Sequence, residues 1–349
     1  MDDFGLRSLR IAFLASNKDP ARFQYDASYR YRSENLALML REQGHDVSLC
    51  HYRDFKPKNA QFDIIVFHRP SDNWHFRRAL ARCKKTGAQL IADVDDLIIH
   101  PKWASFSPGV LNNLLPAKKI EAQFKMNFVA LSHFDKLTTS TTALAQRLLE
   151  TFSADVQVIP NAPHQTWKHS STHTTKIEKP SLTYFPGTAS HDRDFARIVE
   201  PLNDFLSDHP HVTLNITGIM NAPIGIKSKQ LKLKDKQPFD VYATEVSKSW
   251  INLSPLESTP FNECKSALKT IEAAFWGRPT ISSPNSDNLR YEGCGAFIAK
   301  DNNDWFNQLS SLINPDIYQK EVFNISKRAQ ALSLPKKITG DFLTFGGIK

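Results

Sequence analysis

Two lysines and a glutamate recur at short spacing in the second half of the chain. Lys265, Lys269 and Glu272 are four and three residues apart, so on a helix their side chains lie close together. A lysine ammonium binds phosphate, and the N–H groups at a helix start add positive partial charge. Glu272, two turns in, could accept hydrogen bonds from sugar hydroxyls. The spacing predicts a site for a diphosphate and a polyol, although an ordinary βαβ unit with a solvated face has the same pattern.

Three carboxylates stand together at Asp93, Asp95 and Asp96, directly after a run predicted as a buried strand. In a parallel sheet, the C-terminal ends of the strands face the ligand-binding edge. There the carboxylates could bind a metal, orient an acceptor hydroxyl or stabilise positive charge on a sugar. A cluster that only caps the next element has the same composition. We interpret the three as acceptor-side groups and expect no metal.

A third polar segment, 187–192, follows a predicted strand and precedes a predicted helix. An α/β fold places bound anions at such a junction. His191 could donate a hydrogen bond to phosphate there, or it could be a surface histidine near a helix cap.

The elements that must position these residues alternate between strand and helix along the whole chain. Strands are predicted at 9–15, 47–51, 63–68, 89–92, 136–139, 156–159, 182–185, 212–217, 250–253, 280–283 and 296–299. Helices are predicted at 31–43, 73–85, 117–134, 141–151, 192–208, 240–246, 264–276, 302–312 and 315–332. This alternation predicts two doubly wound parallel sheets. The domains are predicted at 1–163 and 181–333, with a polar linker at 164–180 and a C-terminal tail at 334–349.

Composition excludes several classes of protein. With 349 residues, 41% hydrophobic and 23% charged, the chain is expected to form two globular domains. Its 13 glycines provide no phosphate loop of the P-loop or dinucleotide type, so neither ATP chemistry nor NAD is expected. The four cysteines have no paired spacing, which argues against disulfides and zinc and fits a cytoplasmic protein. No signal peptide and no membrane-spanning run is predicted.

The net charge of +8 predicts anionic partners. No nucleic-acid-binding motif accompanies the charge, so nucleic acid is not expected as a partner. Five lysines crowd one stretch, which is either a solvated loop or a contact with anionic lipid headgroups: Lys227, Lys229, Lys232, Lys234 and Lys236.

The stretch 251–283 resembles the donor-site segment of the family 4 glycosyltransferases, which are retaining enzymes of the GT-B fold. Many members carry two glutamates eight positions apart, followed by Ala-x-x-x-Gly-x-Pro. Glu272 and the residues after it, EAAFWGRP, match the second half of this pattern, and Cys264 stands in place of the first glutamate. A subgroup shows a different set of residues, which this chain matches at Pro255–Leu256, Phe261–Asn262, Lys265–Ser266, Lys269 and Glu272.

The resemblance implies roles for individual residues. Asp95, Asp96 and Glu272 would be catalytic, and Asn161 would fix the hinge between the domains. Tyr31, Arg32 and Asp93 would contact the acceptor. The donor would be bound by Gly187, Thr188, His191, Pro255, Phe261, Asn262, Lys265, Ser266, Lys269 and Glu272. Nucleotide sugar is the implied substrate, without a metal or another cofactor.

Together with the resemblance, the sequence predicts a GT-B glycosyltransferase whose two Rossmann-like domains face a cleft. The N-terminal domain would bind the acceptor and the C-terminal domain the donor. The enzyme would transfer a hexosyl-type sugar, with retention, to a glycan or lipid-linked acceptor in the synthesis of lipopolysaccharide, capsule or other surface polysaccharide. It would act in the cytoplasm, peripherally on the inner face of the membrane. Two alternatives stay open: an inactive GT-B protein that binds a glycan or a partner, and a basic nucleic-acid-binding protein.

Overall fold

The computed structural model describes residues 7–17, 19–57, 61–169, 180–220, 225–226 and 229–348. They form two compact units. Unit 1 combines the described parts of Met1–Ala104, Ala117–Gln165 and Leu334–Lys349, and unit 2 combines those of Ser105–Pro116 and Thr166–Ser333. The predicted tail 334–349 thus belongs to unit 1, and 105–116, predicted within the first domain, belongs to unit 2. Residues 170–179 of the predicted linker lie outside the described residues, as does Lys227.

Each unit contains one parallel six-stranded sheet. In unit 1 the strand order is β2-β1-β3-β4-β5-β6, and in unit 2 it is β12-β11-β10-β7-β8-β9. The prediction of two doubly wound parallel sheets is therefore confirmed. The strands are β1 (Arg10–Ala15), β2 (Asp46–His51), β3 (Ile64–His68), β4 (Gln89–Asp93), β5 (Lys136–Thr139), β6 (Asp155–Val158), β7 (Ser181–Tyr184), β8 (Thr213–Thr217), β9 (Leu231–Lys234), β10 (Ile251–Ser254), β11 (Thr280–Ser282) and β12 (Ala296–Ile298).

Helices connect the strands. They are α1 (Ala27–Tyr29), α2 (Asn35–Glu42), α3 (Trp74–Lys84), α4 (Pro108–Leu111), α5 (Ala117–Leu131), α6 (Thr142–Leu149), α7 (Asp192–Ala196), α8 (Val199–Asp208), α9 (Phe239–Ser247), α10 (Pro260–Glu263), α11 (Leu268–Phe275), α12 (Ser286–Arg290), α13 (Asn302–Ile313), α14 (Pro315–Val322), α15 (Ile325–Ala331) and α16 (Pro335–Phe345). A π-helical stretch, Arg30–Glu34, joins α1 to α2. None of the described helices is long and apolar enough to cross a bilayer.

Central strands with apolar side chains on both faces build the core of each unit, as parallel sheets covered by helices require. In unit 1, all five residues of β3 are buried, and Phe342 of α16 stacks on Phe13 of β1 with 5.8 Å between the ring centroids. In unit 2, Leu182 and Leu253 are fully buried between the helices.

Several predicted elements differ in detail. The predicted helix 315–332 is two helices, α14 and α15, with Asn324 in the left-handed region at a φ of 63° between them. The predicted helix 192–208 is two helices, α7 and α8, with Ile198 outside helical geometry between them. The predicted helix from Cys264 is also divided, into α10 and α11. The lysine-rich stretch interpreted as a loop contains the edge strand β9.

Candidate functional site

Unit 2 brings its candidate residues to the point where the strand order reverses. Chain order runs from β7 outward to β9 on one side, and from β10 outward to β12 on the other. Between β7 and β10 the connecting loops diverge, and a doubly wound sheet binds its ligand at such a point. The loop after β7 carries Gly187, Thr188 and His191, and the segment after β10 carries Pro255 through Lys269. The two predicted donor segments therefore meet at one edge of one sheet.

Lys265 and Lys269 place two ammonium groups at this edge. Both side chains are half-buried, and among the described residues neither forms an ion pair. Each ammonium lies 5.9 Å from an aromatic ring centroid, Lys265 from that of Phe261 and Lys269 from that of Tyr184. Burial lowers the pKa of Lys269, and the charge of Lys265 lowers it further. An anion that touched both lysines would remove this repulsion.

His191 stands beside the two lysines and is held by Asp194. Its Nδ1 lies 3.0 Å from Asp194 Oδ2. Burial lowers the pKa of His191 to about 4, and Lys265 contributes to the shift. The imidazole is therefore neutral near pH 7, and its Nδ1–H donates to the carboxylate. In that state Nε2 accepts hydrogen bonds, so donation to a phosphate, as predicted for His191, requires a second proton.

Asp194 organises the loop around these groups. Its Oδ1 accepts hydrogen bonds from the Glu257 amide at 2.9 Å and from Asn262 Nδ2 at 2.8 Å. Burial alone would raise the pKa of Asp194, but the hydrogen bond from His191 and the charge of Lys265 outweigh it and lower the pKa. Asp194 thus remains a carboxylate that ties the loop after β7 to the segment after β10.

The helix start differs from the prediction. Thr259 caps α10 by accepting a hydrogen bond from the Asn262 amide at 3.1 Å. The longer helix α11 begins only at Leu268, so Lys265 precedes it instead of lying in its first turn. The amide of Ala267, just before α11, already donates to Asp287 Oδ2 at 2.7 Å. A phosphate at this edge would therefore be bound by the lysine side chains more than by this amide.

Glu272 lies within α11 and is only 3% exposed. Tyr242 of α9 donates its hydroxyl proton to Glu272 Oε2 at 2.6 Å. Burial raises the pKa of Tyr242, and the charge of Glu272 raises it further, so the tyrosine keeps its proton. Tyr242 was not predicted as a site residue, because nothing in its sequence neighbourhood marks it.

The remaining predicted donor residues differ in exposure. Gly187 and Thr188 are exposed, Ser266 is half-buried, and Pro255 and Phe261 are buried. The loop after β7 and the segment after β10 thus place exposed, half-buried and buried members of the predicted donor set at the ends of neighbouring strands.

Unit 1 has its own reversal of strand order, between β1 and β3. A cavity of about 630 Å³ lies at the ends of these strands. Ser16 and Asn17 line it after β1, and His68 and Arg69 line it at the end of β3. The rest of its polar lining comes from Asp26, Tyr29, Tyr52, Arg53, Ser71, Asp72, Asn73, His75, Gln123 and Asn127. The cavity offers carboxylate, guanidinium, amide, imidazole and hydroxyl groups, all of which can hydrogen-bond to a ligand rich in hydroxyl groups.

Asp93 and Arg32, both predicted to contact the acceptor, are buried and paired with each other. Arg32 donates to both carboxylate oxygens of Asp93, at 2.7 and 3.3 Å. Thr138 donates to Asp93 at 2.9 Å, and His68 Nδ1 lies 2.9 Å from it. Burial opposes ionisation, but the Arg32 charge and the His68 hydrogen bond hold the pKa of Asp93 well below its usual range. Four donors fill this carboxylate, which argues against an acceptor hydroxyl binding there.

Arg32 also reaches Asn161, whose side-chain oxygen accepts from the guanidinium at 3.1 Å. Tyr31, the third predicted acceptor residue, is buried, and its ring packs edge-to-face on His164 with 5.8 Å between centroids. These predicted residues therefore support the fold of unit 1 at the end of its sheet.

Asp95 and Asp96, predicted as catalytic, share one arginine. Arg69 donates to both carboxylates. Its backbone has a φ of 48°, an unusual value for a residue with a side chain. Burial would raise the pKa of Asp95, and the Arg69 charge overcomes this and lowers it. Asp95 therefore stays ionised, and the one guanidinium of Arg69 lies between it and Asp96.

A chain of hydrogen bonds links Asp95 back to Asp93. Ser28 donates its hydroxyl proton to Asp95 Oδ2 at 2.6 Å, and His68 Nε2 lies 2.9 Å from the same serine oxygen. Ser28 thus lies between Asp95 and His68, and His68 Nδ1 faces Asp93, so these side chains form one continuous network. Ser28, His68 and Arg69 were missed by sequence reasoning, since none stands in a motif.

The described residues contain no group of three or more His, Cys, Asp and Glu side chains that could hold a metal ion. Metal independence remains a prediction.

Comparison with known proteins gives similarity in fold. No family model and no curated protein matches the chain. Among solved structures, an α-glucosyltransferase in complex with UDP and a 13-mer DNA is 11% identical, with a TM-score of 0.62 over 97% of this chain and 100% of that one. WaaG, a glycosyltransferase involved in lipopolysaccharide biosynthesis, is 13% identical, with a TM-score of 0.56 over 95% and 98%.

A Thermobaculum terrenum O-GlcNAc transferase mutant is 11% identical, with a TM-score of 0.54 over 97% of this chain and 66% of that longer chain. At these identities the similarity establishes architecture. The chain has the GT-B fold of two parallel α/β units.

Proposed function

We propose that this chain is a glycosyltransferase that moves a sugar from a nucleotide-sugar donor to a glycan or lipid-linked acceptor. The sugar would keep its anomeric configuration, and the product would enter lipopolysaccharide, capsule or another surface polysaccharide. The fold supports a nucleotide-sugar enzyme, and the resemblance of 251–283 to family 4 supports retention.

One observation carries the proposal. Lys265 and Lys269 place two half-buried ammonium groups at the point where the strand order of unit 2 reverses. Neither lysine forms an ion pair with any of the described residues. Crowding two such cations raises the free energy of the protein until an anion joins them. A sugar-linked diphosphate has the charge and the reach to contact both. When the glycosidic bond breaks, the leaving diphosphate gains negative charge, which the same lysines would stabilise.

The acceptor would occupy the cavity of unit 1. Its polar lining suits sugar hydroxyls, and Asp95 and Asp96 lie next to it through their shared partner Arg69. Two carboxylates against one guanidinium leave net negative charge, which would stabilise the positive charge that develops on the transferred sugar.

The proposal requires no metal, because the lysines supply the positive charge that a divalent cation would otherwise bring. We further propose that the protein works at the inner face of a membrane, where lipid-linked acceptors are available. Addition of EDTA should leave the transfer rate unchanged, and a requirement for manganese would contradict this part of the proposal.

A panel of nucleotide sugars tests the donor. The correct donor at a hundred times its dissociation constant should stabilise the protein by about 2.7 kcal/mol, measured as a shift in thermal unfolding. With that donor, a hydrolysis assay followed by NMR of the released sugar reports both activity and anomeric configuration.

Lys265→Ala and Lys269→Ala should each weaken binding of the nucleoside diphosphate by roughly 10- to 150-fold, because a charge-assisted hydrogen bond contributes about 1.5–3 kcal/mol. Lys300→Ala is the matched control, since it removes an exposed lysine elsewhere in unit 2. Equal calorimetric affinities for all variants would contradict the diphosphate site. Binding without turnover would favour the inactive GT-B alternative.

A further inference from the structure

One face of α3 in unit 1 is cationic along its whole length. The opposite face packs into the core: Phe76, Ala79, Leu80 and Cys83 are buried, and the Phe76 ring lies 5.8 Å from that of Phe67. No acidic residue occurs between 73 and 86. We call the aromatic and cationic residues of this segment the α3 surface: Trp74, Arg77, Arg78, Lys84 and Lys85, which are exposed, and Arg82, which is half-buried with its Nε enclosed.

Little of this charge is neutralised within the protein. Arg77 pairs with Asp72, at 2.7 Å from Nε to Oδ1, and is 65% exposed. Among the described residues, the other four cations of the α3 surface form no ion pair. Four exposed cations and the half-buried Arg82 thus stand against one carboxylate, and the helix cannot rotate them inward because its apolar face packs into the core.

Apolar groups stand at one end of this row. Trp74 is 64% exposed, and the Arg78 guanidinium lies 5.3 Å from its ring centroid. Met126 of α5 is 40% exposed and adjacent, because its carbonyl accepts from the Asp72 amide at 3.0 Å. An exposed indole next to cations, with an exposed methionine two residues away across one backbone hydrogen bond, has the composition that proteins place at a membrane–water interface.

The position of these groups relates them to the cavity of unit 1. Met126 lines that cavity, together with Asn73 and His75 from the start of α3. A flat anionic surface that met the cations and the indole would therefore lie against the rim of the cavity.

We propose that the α3 surface docks on a bilayer that contains anionic lipids, with Trp74 and Met126 in the headgroup region. The docking is independent of the proposed transfer reaction. Only the purpose of the docking rests on the proposed reaction: docking would bring the cavity close to acceptors in the membrane. A nucleic-acid strand would meet the same cations, but it would gain nothing from Met126, which neither stacks on a base nor pairs with a phosphate.

Vesicle sedimentation tests the proposal with the full chain. Binding should be strong to vesicles of phosphatidylcholine with phosphatidylglycerol and weak to phosphatidylcholine alone, and salt should reduce it. The triple variant Arg78→Gln, Lys84→Gln, Lys85→Gln should bind the anionic vesicles about a hundredfold more weakly, at about fivefold per cation.

The matched control removes the same charge from unit 2. Lys232→Gln, Lys234→Gln, Lys236→Gln alters exposed lysines, two of which already contact Glu245 and the Gly187 carbonyl. This control should bind vesicles as the unmodified protein does. An equal loss in both triple variants would mean that net charge, not the α3 surface, drives binding, and would overturn the proposal.

Trp74 supplies a second readout. Subtracting the emission spectrum of the Trp74→Phe variant from that of the unmodified protein gives the emission of Trp74. This emission should shift to shorter wavelength when anionic vesicles are added, because the indole leaves water. No shift, or tighter binding to a DNA oligonucleotide than to the vesicles, would overturn the proposal. Unfolding midpoints and nucleotide-sugar binding, measured on the same variants, separate loss of docking from misfolding and from failure of the proposed transferase function.

Discussion

His191 holds a single proton at a site that otherwise favours anions. Its pKa is lowered from 6.5 to about 4 by burial and by Lys265. Between these pH values the unfolded chain binds a proton that the folded, ligand-free protein does not. The stability of the ligand-free protein should therefore fall as the pH decreases through this range.

A bound diphosphate reverses the preference of His191 for the neutral form, because its negative charge favours a second proton on the ring. The complex then holds more protons than the free protein, so affinity for a nucleoside diphosphate should rise as the pH falls from 6.5 towards about 4. Calorimetry at several pH values measures this dependence. His191→Gln is the reference, since protonation of the ligand itself affects both proteins equally. The same pH dependence in both would contradict the prediction.

Glu272 and Glu263 are two carboxylates with different surroundings. Glu272 is buried and accepts a hydrogen bond from the Tyr242 hydroxyl. Glu263 is exposed and accepts a hydrogen bond from the Ser286 amide at 3.0 Å. We expect Glu272→Gln to lower the transfer rate at least tenfold, about 1.4 kcal/mol in activation free energy. Glu263→Gln should keep most of the activity. Equal losses would show that Glu263 takes the place of the first glutamate in the family 4 pattern that 251–283 resembles, where this chain has Cys264.

The site residues that sequence could predict are those in short motifs, such as the lysine pair and the loop around His191. Residues such as Arg69 and Tyr242 reach the sites only through the fold, so their neighbours in sequence give no signal. Arg32 and Asp93 illustrate the opposite error. Their types and positions suggested ligand binding, but sequence cannot distinguish a buried, fully hydrogen-bonded pair from an open one.

At the scale of elements, helical periodicity predicted where α11 lies but not where it begins. Apolar side chains continue at helical spacing from Cys264, although the backbone leaves helical geometry at Ala267, with ψ of 33°. Asp287 accepts from the Ala267 amide, and this contact is invisible in the local sequence. Strand β9 was missed for a related reason: its lysines suggested a loop, whereas charged side chains on an edge strand prevent pairing with another sheet.

The loop after β7 depends on a glycine in the neighbouring strand connection. Gly218, after β8, has a φ of 148°, and an added Cβ would lie 2.0 Å from the Pro186 carbonyl oxygen. Gly218→Ala should therefore lower the free energy of unfolding by about 1–3 kcal/mol or more, measured in urea. Gly187→Ala is the control in the same loop, because an added Cβ there meets no atom within 4 Å. Similar losses in the two variants would contradict this explanation.

At the scale of the whole molecule, alternating strands and helices were enough to predict two parallel sheets. The assignment of segments to units was not predictable in the same way. Residues 105–116 belong to unit 2 through contacts such as Asn112 Nδ2 to the Ser190 carbonyl at 2.8 Å. A change in composition marks a linker. The assignment of 105–116 to unit 2, in contrast, depends only on contacts between distant parts of the chain.

Helix α16 has a consequence for the order in which the protein is made. It covers unit 1: Thr339 accepts from Gln43 at 2.6 Å, Phe342 stacks on Phe13, and Gly346 packs on Ile64. Residues 334–349 leave the ribosome only after 166–333, which at typical elongation rates takes roughly ten to thirty seconds. During that interval the apolar surface that α16 covers is exposed to solvent, where a chaperone can bind it or it can promote misfolding. Unit 2 can finish folding soon after its own synthesis, whereas unit 1 has to wait for a segment that is made after unit 2.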